Sequence, residues 1–147
     1  MISIFAYMDG QEMEGFSDLL WQWYGAEQQG KIAAISRLVG ALEFLAADAA
    51  VQREIIPDCP ICETWSSHML LVHDAISICG AALPDEFRIQ LDRVWELCFA
   101  INELNLPCHD REVFEQQPWQ PLRAAAGYML LSMGVVEVKT CLVELSP

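Results

Sequence analysis

The sequence has few basic residues and no long hydrophobic run. Only 8 Lys and Arg residues stand against 21 Asp and Glu residues, which gives a net charge of −13 and a pI near 4.3. Such a surface repels phosphate backbones and anionic lipid headgroups, so we expect neither nucleic-acid binding nor membrane binding. The longest uncharged stretch, residues 124–136, contains two glycines. It is shorter than the ~18 residues that a membrane span needs.

The sequence also has no secretory signal, no flexible linker and no internal repeat. The N-terminal residues lack the basic start of a secretory signal peptide, and no Gly/Ser-rich tract divides the chain. Hydrophobic residues make up 54% of the composition and charged residues 20%, which excludes a disordered chain. The sequence therefore predicts one soluble, cytoplasmic, globular domain over residues 1–147.

The apolar residues recur mostly at helical spacing, and Gly and Pro separate the segments. Pro84-Asp85-Glu86 is a typical helix start, because acidic residues stabilise the positive end of a helix. Gly80 is a plausible helix stop, and Asp58 is a good N-cap. We expect an α-helical bundle of about five helices. They would cover residues 12–29, 31–53, 58–79 and 84–101, with the fifth starting near residue 118.

The two ends of the chain have a different pattern. Residues 1–8 and 135–145 are rich in β-branched or aromatic residues, and apolar residues alternate with Glu137 and Lys139. These segments could pair as two short strands beside the helices. Alternatively, the last segment is a sixth helix, and the pattern alone does not decide between the two.

Cysteine and histidine spacing offers two kinds of chemistry. The four residues Cys59-Pro60-Ile61-Cys62 resemble the C-P-x-C motif of thioredoxin-like oxidoreductases, whose fold requires a strand before the motif, where this sequence predicts a helix. Cys59, Cys62, His68 and His73 also supply four candidate zinc ligands, two cysteines and two histidines. Because all four fall on one short segment, they converge poorly. We expect no metal, no cofactor and no catalytic site, and keep a redox or zinc protein as an alternative.

Acidic and aromatic residues are the best candidates for contact with a partner. No Lys or Arg precedes Lys31, so every charged residue among the first thirty is an Asp or a Glu. Trp21 lies off the apolar side of its helix, and we place Trp119 in a polar turn flanked by Gln and Pro. Tryptophan is enriched in binding hot spots. The predicted partner-binding residues are Asp9, Glu12, Glu14, Asp18, Trp21 and Trp119.

These features together favour a non-enzymatic module that binds and neutralises a basic protein. A small, acidic, helical chain is typical in size and charge of a bacterial immunity protein or antitoxin that blocks a toxin, such as a nuclease. A chaperone for a secreted effector has the same composition. The other alternative is a homo-oligomeric structural or regulatory subunit, because so hydrophobic a chain can hide a subunit interface.

Overall fold

The computed structural model describes residues 15–56, 61–104 and 111–146. This part of the chain is mainly helical and contains no strand. Its α-helices are α1 (Gly15–Gly25), α2 (Gln29–Ala46), α3 (Ala49–Ile55), α4 (Ile61–Cys79), α5 (Asp85–Asn102), α6 (Trp119–Met133) and α7 (Val135–Leu145). Two short 3-10 turns cover Gly80–Ala82 and Arg111–Glu115.

Helix α2 lies at the centre of the bundle and packs against α1, α4, α6 and α7. Its apolar residues recur at nearly every position, so the helix is buried on most of its circumference. Small residues let the neighbouring helices approach closely. A Cβ built on Gly127 of α6 would lie 3.9 Å from the Cβ of Ala46. The buried residues of α2 are Ile32, Ala34, Ile35, Leu38, Val39, Ala41, Leu42, Phe44 and Leu45.

The predicted second helix, residues 31–53, is two helices in the structure. The chain leaves the helical conformation at Ala47, and Asp48 caps α3 by accepting a hydrogen bond from the Val51 amide at 3.0 Å. The helical spacing of apolar residues continues through residues 47 and 48, so it did not predict that the helix is interrupted there. The Asp48 cap was the available signal, since Asp is among the most favourable N-cap residues.

The last segment is a helix, so the alternative of a C-terminal strand is wrong. Gly134 adopts a left-handed conformation (φ 67°) and ends α6, with its amide donating to carbonyls of the last turn. Helix α7 then buries Val138, Cys141 and Leu145, whose +3, +4 spacing is helical. The other half of the predicted strand pair, residues 1–8, lies outside the described residues.

A polar cluster joins α2, α3 and α6 at one end of the bundle. Gln52 is fully buried, and its side-chain nitrogen donates to the Phe44 carbonyl at 2.9 Å. Arg123 of α6 donates to the Ala47 carbonyl at 2.7 Å, to the Gln52 side-chain oxygen at 2.7 Å and to the Phe114 carbonyl at 3.0 Å. Desolvation lowers the pKa of Arg123, and the charge of Asp48 opposes that shift. The cluster supplies side-chain donors to carbonyl groups at the end of α2, where the regular helical hydrogen bonds stop.

Aromatic rings fill the core beside this cluster. Trp65, Phe114 and Trp119 pack edge to face, with ring centroids 5.0 to 5.9 Å apart. Trp119 is the first residue of α6 and is fully buried. The prediction that Trp119 lies in a polar turn is therefore wrong. Pro118 lies in the turn just before α6, at its N-cap, and Pro121 lies in the first helical turn, where proline is tolerated.

Candidate functional site

Helix α1 divides cleanly into a buried and an exposed side. Phe16, Leu20 and Trp23 enter the core, at spacings of four and three residues. Asp18 and Trp21 lie on the opposite side and are exposed. They are three residues apart, so they occupy one face of the helix.

Trp21 has an aromatic neighbour that the sequence analysis missed. The rings of Trp21 and Tyr24 meet edge to face, with centroids 6.0 Å apart, and each residue is 46% exposed. Aromatic rings of this size normally bury most of their surface, and half-exposed Trp and Tyr side chains are typical of protein-binding surfaces. The signal in the sequence was the three-residue spacing, which places Tyr24 beside Trp21 on a helix.

The turn after α1 contains an acidic residue, Glu27, whose backbone conformation is strained. The Gln28 amide donates to the Trp23 carbonyl at 2.8 Å and the Glu27 amide to the Tyr24 carbonyl at 3.1 Å, which is a Schellman helix end. Glu27 therefore has a positive φ of 62°, where glycine is normally found. It is the only non-glycine residue with positive φ in the described part of the chain. Its side chain is exposed.

The end of α7 brings another acid to the same place. Tyr24, Gln29, Glu144, Leu145 and Ser146 line a shallow cavity of about 400 Å³ between the end of α1 and the end of α7. We use the name α1–α7 acidic face for a set of five exposed side chains that lie along α1 and around this cavity. They are Asp18, Trp21, Tyr24, Glu27 and Glu144.

Among the residues that the structure describes, the carboxylates of the α1–α7 acidic face form no ion pair. All fifteen Asp and Glu side chains that the structure describes are exposed. Ion pairs within the described ranges engage some of them: Arg53–Glu115, Arg93–Glu96 and Lys139–Glu43. Asp18, Glu27 and Glu144 are in none of these pairs. Their charge therefore remains available to a cation from outside.

The other predicted partner-binding residues do not join this face. Asp9, Glu12 and Glu14 lie outside the described residues. Trp119, predicted as a surface contact, is fully buried between Trp65 and Phe114 and is not available to a partner in this structure.

The structure describes the side chains of two of the four candidate zinc ligands, His68 and His73. Cys59 lies outside the described residues, and so does the side chain of Cys62. His68 stacks on Phe44 of α2, with centroids 4.2 Å apart, whereas His73 contacts Trp95 of α5 at 4.9 Å. The two histidines thus face different neighbouring helices. Within the described ranges, no group of three His, Cys, Asp or Glu side chains is arranged to hold a metal ion.

The described thiols are buried in the core. Cys79, Cys98 and Cys141 are free and buried. Burial raises the pKa of Cys79 to about 11 and that of Cys98 to about 12, because a thiolate is poorly solvated in the core. These thiols are therefore protonated at neutral pH and are poor nucleophiles.

In the described ranges, none of the helices is by itself long and apolar enough to cross a bilayer. Helices α6 and α7 meet the length and composition requirement only as a pair, and they are bent by 66° where they join.

Comparisons with known proteins found no relative. No model of a protein family matches the chain, no curated protein matches it, and no solved structure matches it.

Proposed function

We propose that this protein is a non-enzymatic, cytoplasmic binding module that engages a basic protein through the α1–α7 acidic face. The most plausible role is that of an immunity protein or antitoxin that covers the functional surface of a toxin, such as the phosphate-binding cleft of a nuclease. The role as an immunity protein rests on analogy of size and charge. The assignment of the contact face is based on the positions of exposed residues on α1 and α7.

The observation that carries the proposal is the combination of unpaired carboxylates with two half-exposed aromatic rings. An Arg or Lys side chain placed over Trp21 or Tyr24 would gain a cation–π interaction with the ring. The same cation would lie near the carboxylates of Asp18, Glu27 or Glu144. A cation bound in this way interacts with both charge and ring, which distinguishes the face from an acidic surface that only keeps the protein soluble.

The net charge of −13 supports the same proposal. A strongly acidic protein attracts a basic partner over a distance of about 8 Å at physiological salt and accelerates its encounter. A cleft that binds nucleic-acid phosphates is basic and therefore complementary to such a surface. Blocking that cleft by shape and charge would neutralise a toxin without any chemical step.

A charge-reversal experiment tests whether this face, and not charge in general, holds the partner. Asp18→Lys changes the α1–α7 acidic face. Glu54→Lys is the matched control, since it makes the same change in net charge on α3, which follows the opposite end of α2. Helix α2 has 18 residues and is about 27 Å long; the turn that holds Glu27 precedes its start, whereas α3 follows its end. Tagged forms of both variants and the wild type are used to capture proteins from host lysate at low salt.

We expect the wild type and Glu54→Lys to recover the same basic protein at near-equal stoichiometry, released by rising salt. Asp18→Lys should recover much less of it. Equal recovery by both variants would mean that binding follows net charge alone and would contradict the assignment of the face. Recovery of no basic protein by the wild type would contradict the proposed function.

A further inference from the structure

A second surface of the protein has the opposite character. Residues 116–136 contain no Asp or Glu, the longest such stretch in a chain with 21 acids among 147 residues. Helix α6 lies within it, and its only charged residue, Arg123, is engaged by the polar cluster at the end of α2. The exposed side of α6 is therefore almost free of charge.

Large apolar side chains are exposed on this surface. Tyr128 and Leu131 of α6 are 63% and 80% exposed, and Val136 and Val143 of α7 are 77% and 74% exposed. Tyr128 and Leu131 are three residues apart and Val136 and Val143 seven apart, so each pair shares one side of its helix. Leu131 and Val136 also line one shallow cavity of about 320 Å³ at the bend between the helices. We name these four residues the α6–α7 apolar face.

The lack of charge on the α6–α7 apolar face limits which kind of protein can bind there. A basic protein gains nothing from a surface without acids, so the partner of the α1–α7 acidic face has no electrostatic reason to bind here. Two copies of this chain, each with a net charge of −13, repel one another wherever acids face acids. That repulsion is smallest where α6 of one copy meets α6 of the other, and burial of the exposed apolar side chains then favours contact.

The charged groups at the border of the face do not oppose this arrangement strongly. Lys139 is paired with Glu43 at 2.8 Å, which leaves no net charge at that position. Glu137 is the acid that lines the cavity at the bend. In a two-fold symmetric pair the same patch contacts itself, so this single acid can lie at the rim in both copies.

We propose that the chain forms a homodimer through the α6–α7 apolar face. The inference is independent of the proposed function, because the dimer surface and the α1–α7 acidic face share no residue. It also makes an opposite prediction about salt. Salt screens the repulsion between two acidic copies and strengthens the dimer, whereas it weakens the attraction to a basic partner.

Sedimentation velocity of the purified full chain tests the dimer. The wild type is compared with Leu131→Glu and with Ile89→Glu, which places the same charge on an apolar side chain of α5 that is 65% exposed. Because both positions are exposed, both variants should keep the helical circular dichroism of the wild type. Loading concentrations run from about 1 to about 200 μM, which spans dimers of ordinary affinity.

We expect the wild type and Ile89→Glu to dimerise equally and Leu131→Glu to dimerise at least about tenfold more weakly. Raising NaCl from about 50 to about 500 mM should strengthen the wild-type dimer. A wild type that stays monomeric throughout, or equal effects of the two substitutions, would overturn the proposal. Flotation of a monomeric wild type with vesicles of neutral phosphatidylcholine would also overturn it and assign the face to a lipid surface.

Discussion

Arg123 should contribute more to stability than any exposed basic residue, because it completes the polar cluster at the end of α2. Arg123→Ala removes three hydrogen bonds and leaves the side-chain oxygen of the fully buried Gln52 without a donor. An unsatisfied buried acceptor costs about 1–3 kcal/mol, and each lost hydrogen bond from a charged donor costs about as much before solvent compensation. Since the guanidinium is partly exposed, water replaces some of these bonds. We therefore expect a loss of about 3 kcal/mol in the free energy of unfolding.

Chemical denaturation with urea, followed by circular dichroism, measures this loss. A loss of about 3 kcal/mol corresponds to a fall in Tm of about 10 °C for a chain of this length. Arg93→Ala is the matched control, because Arg93 forms an exposed pair with Glu96 at 3.7 Å, and it should cost less than about 0.5 kcal/mol. Arg123→Lys should recover little, since an ammonium group cannot reach all three acceptors of the planar guanidinium. Equal stability of Arg123→Ala and Arg93→Ala would refute the reasoning.

Three further predictions test other parts of the structure. Trp119→Ala should lower the free energy of unfolding by about 3–5 kcal/mol, as expected for a buried aromatic residue, whereas the half-exposed Trp21→Ala should change it little; similar losses in urea denaturation would place Trp119 at the surface after all. Glu27→Gly should raise stability by about 1 kcal/mol, because glycine adopts positive φ without strain, and a lower Tm would show that the turn is not strained. Burial lowers the pKa of His68 from its ordinary value of 6.5, so the folded state disfavours the protonated ring. Stability is then complete above pH 6.5 and falls as the pH drops below it; His68→Phe, which keeps a ring against Phe44, should flatten this part of the pH profile, and an unchanged slope would contradict the assignment.

The fold was predictable where helix signals agreed with one another. Pro84-Asp85-Glu86 marked the start of α5, and Gly80 marked the end of α4, as the structure confirms. The C-terminal segment was ambiguous because β-branched residues favour a strand while its buried positions have helical spacing. The left-handed Gly134 and the packing of α7 against the bundle resolve the conflict, and such tertiary contacts are not visible in a local pattern.

The candidate site was predictable only in part. Trp21 could be found because it breaks the apolar pattern of α1. Glu27 could not, since a positive φ at a glutamate has no signal in the sequence, and the first helix was predicted to continue to residue 29. Glu144 joins the site only through the packing of α7 beside α1. Trp119 was wrongly predicted to lie at the surface, because the polarity of its neighbours in the sequence does not determine the direction of its own side chain.

The most direct test of the central claim is the affinity of the captured basic partner for single aromatic variants, measured by isothermal titration calorimetry. Trp21→Ala removes one ring of the α1–α7 acidic face, and Phe99→Ala removes a similarly exposed ring, at 54%, on α5. We predict that Trp21→Ala weakens binding at least about tenfold and that Phe99→Ala changes it less than about twofold. Unchanged affinity of Trp21→Ala, or an equal loss in both variants, would contradict the claim that this face binds the partner.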